Sequence, residues 1–195
     1  RASGMDALVR VAPTDYGTVM RPMESGAGGG MVAQIRTVDQ VEKVVKWAKY
    51  PPVGVRGMFG ANIESGYGST DVAEHVVRAN HQRWLSIQIE TAEAVDCVDQ
   101  IAAVEHVDNL FVGPSDLACA LGVPGEVMHP RCVAALERLS AAARAEGKSW
   151  GILPHSCEHV QKCLDLGCQL FCVGGDLDLV RRGVDSIRQT YSMLF

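Results

Sequence analysis

The chain has no apolar run of the roughly eighteen residues that a membrane helix needs, and no charged-then-apolar leader with a cleavage site. A membrane span and a secretory signal are therefore not expected, and the cytoplasm is the expected compartment. Basic residues are in deficit, 18 Lys and Arg against 23 Asp and Glu for a net charge of -5, and only Arg181 and Arg182 form a basic pair. That excludes the electrostatic footprint of a nucleic-acid or anionic-membrane binder and leaves a small molecule as the expected partner. Cys97, Cys119, Cys132, Cys157, Cys163, Cys168 and Cys172 are odd in number and include no C-x-x-C pair. Neither a disulfide framework nor a zinc ribbon fits them, so they read as reduced thiols. No G-x-G-x-x-G turn occurs, and the triple glycine at 28–30 precedes a strand pattern, which excludes a phosphate-cradling loop there.

What is present is an ordinary globular composition, 47% hydrophobic and 21% charged over 195 residues, enough for one domain with a substantial core. Short apolar runs alternate with amphipathic segments from end to end, the pattern of strand–helix units on a parallel sheet. Strands are expected at 7–11, 31–35, 85–90, 109–113, 149–154 and 169–175, each followed by a helix. The firmest helix, 37–50, carries Val38, Val41, Val44, Val45 and Ala48 at helical spacing and is stopped by Pro51-Pro52. One helix is expected over 91–104, and a short turn at 114–122. Residues 51–70, rich in Gly, Pro and Ser, read as a long loop with a short strand at VGV. Six units build either an open doubly wound sheet or most of an eight-unit barrel. Because the chain begins at Arg1 in an already globular pattern, we expect a single TIM (β/α)8 barrel domain over 1–195 whose first two units lie upstream.

Glu90 and Asp116 each sit where an apolar run stops. In a parallel barrel both carboxylates reach the same mouth, where they suit a hard divalent cation such as magnesium or manganese that keeps positions open for water and substrate oxygens. Position alone equally allows two acids placed at the positive ends of helices. His155, Cys157 and His159 form an H-x-C-x-H cluster, but residues two apart on a helix face different ways, so they read as loop and helix side chains. Trp47, Trp84 and Trp150 lie in or beside apolar runs and read as packing residues.

The runs IQIET at 87–91 and FVGPSDL at 111–117, with LVRV at 8–11, YPPVGVRG at 50–57, GKSWGIL at 147–153 and FCVGGD at 171–176, resemble the HpcH/HpaI aldolase/citrate lyase family of pyruvate-dependent class II aldolases. The resemblance covers nearly the whole chain. It implies an eight-unit barrel in which Glu90 and Asp116 hold a divalent metal (magnesium or manganese, with cobalt a further choice) that chelates a 2-oxo acid. A metal there stabilises the charge that develops on the enolate oxygen. It also implies that Arg10 places a second positive group on that oxygen. An arginine in an apolar strand is costly unless paired, which favours function over packing. Gln88 shares the barrel face of Glu90 by strand periodicity and is expected to donate to the substrate, while backbone groups around Pro114, Ser115 and Asp116 take its carboxylate. Arg56 matches a family position too, in a glycine-rich loop where its role reads as structural.

The expected activity is cleavage of a 4-hydroxy-2-oxo acid to pyruvate and an aldehyde, or the reverse addition, without a Schiff-base lysine. Rivals are a citrate-lyase-like or malyl-CoA-type thioester lyase, which would want a basic surface for CoA phosphates, and a non-catalytic barrel binding protein. The resemblance further implies a homo-oligomer, typically a hexamer, with the last helix packed on a neighbour. Departures from the family pattern lie in PTDYGT at 13–18 and AQIRT at 33–37, the parts expected to select the aldehyde. The general base is expected before Arg1, with His155 its visible competitor.

Overall fold

A computed structural model describes residues 4–194. Its described residues hold six parallel strands, hydrogen-bonded in chain order, that curl into a half-barrel: β1 (Leu8–Val11), β2 (Gly29–Val32), β3 (Trp84–Ile89), β4 (Asn109–Val112), β5 (Ser149–Ile152) and β6 (Leu170–Phe171). Every connection is a crossover through helix, as parallel pairing requires. Helix α1 (Tyr16–Glu24) follows β1, and α2 (Val38–Ala48) and α3 (Val72–Gln82) follow β2. Next come α4 (Ala92–Asp96) and α5 (Val98–Ala103) after β3, α6 (Pro114–Ala120) and α7 (Pro130–Ala145) after β4, α8 (Cys157–Asp165) after β5, and α9 (Asp176–Thr190) after β6.

Local chemistry explains most boundaries. Thr37 and Gln40 form a reciprocal capping box at the start of α2. Asp15, Asp71, Thr91 and Ser156 cap α1, α3, α4 and α8 with their side chains. The stripe Val41, Val44, Val45 and Ala48 is buried against the sheet, and β3 and β4 are buried on both faces or nearly so, as the central strands of a helix-covered sheet must be. Ile87, Leu110, Ile152, Val98, Ile101, Leu136 and Leu139 join these in one core between strands and helices.

Four expectations need correction. The second strand starts at Gly29, two residues earlier than read, because β2 runs so close to β3 that a Cβ at Gly29 would strike the Trp84 carbonyl. Glycine there serves strand packing, and residues 33–35 have already left the sheet. No strand forms at VGV; residues 51–71 are loop and turn among the described residues. The helix read over 91–104 breaks at Cys97, which has left the helical region with φ -115 and ψ 19. The expected turn at 114–122 is helix α6, started by Pro114 at its first position.

The loop 51–71 is tied down by a buried ionic cluster. Glu64 accepts from Arg56 through both carboxylate oxygens, from Arg83 Nε at 2.7 Å and from Tyr50 Oη at 3.2 Å. Arg56 is 1% exposed and is thus a packing and pairing residue, as its place in the loop suggested. Lys49 is also buried and donates to the Asn80 and Arg83 carbonyls, away from the strand mouths. Trp150 is buried, while Trp84 and Trp47 are half-buried, with Lys43 stacked over the Trp47 ring. Helix α9 buries none of its residues, leaving Leu177, Val180, Val184 and Ile187 exposed. No helix among the described residues is long and apolar enough to cross a membrane.

Candidate active site

The carboxyl ends of the strands open on one side of the sheet, and there the structure gathers Arg10, Gln88, Glu90 and Asp116. Gln88 projects from β3 beside Glu90, two residues on, as strand periodicity requires. It bridges the others: its Oε1 accepts from Arg10 Nε at 2.7 Å, and its Nε2 donates to Glu90 Oε2 at 2.6 Å. Arg10 Nη2 stands 3.8 Å from Glu90 Oε1. Glu90 is itself 1% exposed, and its Oε1 accepts from the backbone N–H and side-chain amide of Gln34 at 2.8 and 2.9 Å. The carboxylate is thus held in place chiefly by neutral amides.

Asp116 stands beside it in the first turn of α6, and the two acids line one side of a cavity of about 420 Å3 with Gln34 and Arg36. Burial pushes the Glu90 carboxyl above its usual range, the Gln34 backbone N–H pulls the other way, and the charge of Asp116 pushes it up again. Gly113 makes the approach possible: a Cβ there would collide with the Glu90 carboxylate and the Gln88 amide. Two facing carboxylates, one buried and both held without a full complement of positive charge, are a donor set that a hard divalent cation fits. No group of three or more His, Cys, Asp or Glu suited to a metal exists among the described residues, so most positions on such an ion would be left to water and substrate.

A larger cavity of about 580 Å3 continues from Arg10, Gln88 and Asp116 to Ser115, Leu153, His155 and Cys172, floored by Leu8, Met31, Phe111, Leu170 and Phe171. Ser115 Oγ lies 3.3 Å from His155 Nε2. Pro114 is buried at the first position of α6 and has no N–H, so backbone donors at this turn come from Ser115 and Asp116. The structure thus brings together all six residues singled out for the site, Arg10, Gln88, Glu90, Pro114, Ser115 and Asp116. It leaves Arg56 away from them.

The Arg10 side chain is 55% exposed among the described residues, and its partners Gln88 and Glu90 distinguish it. The H-x-C-x-H run supplies loop and helix side chains, as read: Cys157 is exposed, His159 is fully buried, and His155 lines the cavity with its ring edge to face against that of His159 at 6.3 Å. Gln34 and Gly113 escaped the sequence reading. Gln34 follows β2 with φ 57, a left-handed backbone that a sequence does not display.

A curled parallel sheet with acids and an arginine assembled where its strands end defines an α/β enzyme of the class that works at the carboxyl ends of its strands. The chain belongs to the HpcH/HpaI aldolase/citrate lyase family, whose model matches residues 1–183. It is 32% identical over 191 residues to 5-keto-4-deoxy-D-glucarate aldolase of Escherichia coli strain CFT073, covering 98% of this chain and 74% of that one. Its fold is similar to that of an HpcH/HpaI aldolase from Desulfitobacterium hafniense DCB-2, with a TM-score of 0.87 at 30% identity over 96% of this chain and 74% of the other. A family protein from Burkholderia cenocepacia J2315 gives 0.84 at 32% identity, covering 94% and 72%. The protein is accordingly an aldolase-type carbon–carbon lyase.

Proposed function

We propose that the protein cleaves a 4-hydroxy-2-oxo acid to pyruvate and an aldehyde, or runs the reverse addition, with Glu90 and Asp116 as the ligands of a divalent cation. The observation that carries this reading is the array Arg10–Gln88–Glu90–Asp116, in which two acids face each other beside an arginine at the strand ends. Magnesium or manganese held there would supply Lewis-acid stabilisation to the 2-oxo acid. Gln88 fixes the Arg10 guanidinium against β3, so that its remaining N–H groups meet the charge gathering on the 2-oxo oxygen as the carbon–carbon bond breaks. The Ser115 and Asp116 backbone N–H groups take the substrate carboxylate. The apolar floor of the cavity keeps bulk water from the carbanion-like carbon.

The same reading includes the finer fold. Six strands in unbroken order, and a chain spanning 74% of the relative's length, support one eight-unit barrel to which this segment contributes six units. The exposed apolar residues of α9 support a homo-oligomer in which that helix packs on a neighbour. A cytoplasmic location suits such an enzyme. The relative's name suggests a sugar-acid-derived hydroxy-oxo acid as substrate.

The test is pyruvate release from a panel of 4-hydroxy-2-oxo acids, followed through a coupled dehydrogenase with magnesium or manganese present and again after chelation. Turnover that disappears on chelation and returns with added metal is expected. Turnover indifferent to chelation removes Glu90 and Asp116 from the ligand role.

A further inference from the structure

Gln34 follows β2, the strand paired with β3, and reaches Glu90 across 56 positions of chain. Its φ of 57 is a left-handed backbone, which persists in a residue other than glycine only where its surroundings enforce it. The neighbours Ala33 and Ile35 are buried and pack into the protein, whereas Gln34 itself is exposed. The turned backbone has one visible result. The backbone N–H and the side-chain amide of this single residue converge on the same atom, Glu90 Oε1, at 2.8 and 2.9 Å.

An ionised carboxylate has about four acceptor positions, two on each oxygen. Gln34 fills both on Oε1. Gln88 Nε2 takes one on Oε2 at 2.6 Å, while Arg10 Nη2, 3.8 Å from Oε1, is too distant for a hydrogen bond. Among the described residues these contacts leave one acceptor position, on Oε2. That oxygen faces Gly113, where a Cβ would collide with it, and Gly113 opens the turn that carries Asp116.

We propose that Gln34 is a positioning residue that sets which divalent cations the two acids accept, by holding Glu90 to a single free oxygen. Magnesium and manganese favour octahedral oxygen sites and are served by one oxygen from each of two acids, with water and substrate filling the rest. Calcium takes about six to eight oxygens and is better served by a carboxylate that gives both of its own. With Oε1 occupied by Gln34, Glu90 offers calcium only one. The clamp is also neutral. A lysine or arginine in its place would fix Glu90 equally well but cancel the charge that a cation needs, whereas an amide orients the ligand and leaves its charge intact.

This inference rests on the reading of Glu90 and Asp116 as cation ligands, and the test keeps the two apart. Manganese binding to the parent protein, Gln34→Leu and Gln34→Gly is followed through the electron paramagnetic resonance signal of free manganese, and calcium is then added as competitor. Gln34→Leu removes the amide at similar volume, and Gln34→Gly accepts the left-handed backbone without strain while keeping the N–H. Each frees an acceptor position on Oε1. The preference for manganese over calcium should fall about 10–100-fold in both, the usual effect of losing a hydrogen bond that orients a metal ligand, with the melting temperature of metal-free Gln34→Gly held. A contact that serves folding alone predicts the opposite pair, a lower melting temperature and an unaltered preference, and that result overturns the assignment. So does an equal loss of affinity for both cations, and either outcome leaves the ligand reading intact. A parent protein that binds no manganese overturns the ligand reading, and this assignment with it.

Discussion

Two buried glutamates in this protein sit in opposite electrostatic circumstances. Around Glu64, burial alone would push the carboxyl up, but the hydrogen bond and charge of Arg56, joined by those of Arg83, hold it below the usual carboxylate range. Around Glu90, burial also pushes the carboxyl up, the Gln34 N–H relieves it only in part, and Asp116 adds a second negative charge. The guanidinium that approaches Glu90 among the described residues is that of Arg10, at 3.8 Å and half in solvent. Glu64 is thus neutralised by protein and pins a loop. Glu90 is held rigidly but left short of positive charge, as a cation-binding carboxylate should be. The two acids are alike in depth and differ in their partners.

The sharpest break of that comparison exchanges the two sites' sensitivities. On the proposed ligand role, Asp116→Ala should lower turnover by about two to four powers of ten, because the cation would lose one of its two protein ligands. The thermal midpoint should hold or rise, since a like charge beside Glu90 is relieved. Steady-state assays at rising metal concentration, with calorimetry alongside, check both halves. A large loss of thermal stability would make Asp116 a structural acid like Glu64.

Glu64→Gln should do the reverse. It leaves two buried arginines without their counter-charge, which costs about 3–5 kcal/mol when a buried pair is broken. For a domain of this size that is a fall of about 10 °C in Tm. Metal affinity at the mouth, read by titration calorimetry at a temperature where the variant is folded, should change little. A variant that melts like the parent would mean that loop 51–71 does not depend on the cluster.

The smallest effect concerns pH. His75 and His159 are both buried, and burial holds each below its usual pKa. A histidine whose folded pKa lies below its unfolded value binds more protons when unfolded, so it costs stability as pH falls through the unfolded value of about 6.5. Glu64, with a folded pKa depressed by its arginines, contributes stability above the unfolded carboxylate value that is lost as pH falls toward the folded one. Stability should therefore decline in two stages, first below about pH 6.5 and then below about pH 4.3. Denaturant midpoints across that range test it, and His75→Gln should reduce the first stage. A flat profile between pH 7 and 5 would show that neither imidazole is buried neutral.

Much of this protein was legible in its sequence because the signals are local. Alternating apolar runs dictate strand–helix units, the Val41, Val44, Val45 stripe dictates α2, and acids at the ends of apolar runs dictate where a parallel sheet presents them. The family motifs likewise lie in short contiguous runs, so Arg10, Gln88, Glu90, Pro114, Ser115 and Asp116 could be singled out one by one. What tertiary structure alone decided is what those residues meet. Gln34 reaches Glu90 across 56 positions of chain, Arg10 reaches Gln88 across 78, and Ser115 reaches His155 across 40. The reason is physical: periodicity fixes the direction in which a side chain leaves its own element, but the partner it finds depends on how the sheet curls and on a left-handed backbone at Gln34. The same holds for the two glutamates, which look alike in the sequence and are separated only by the charges that folding brings to them.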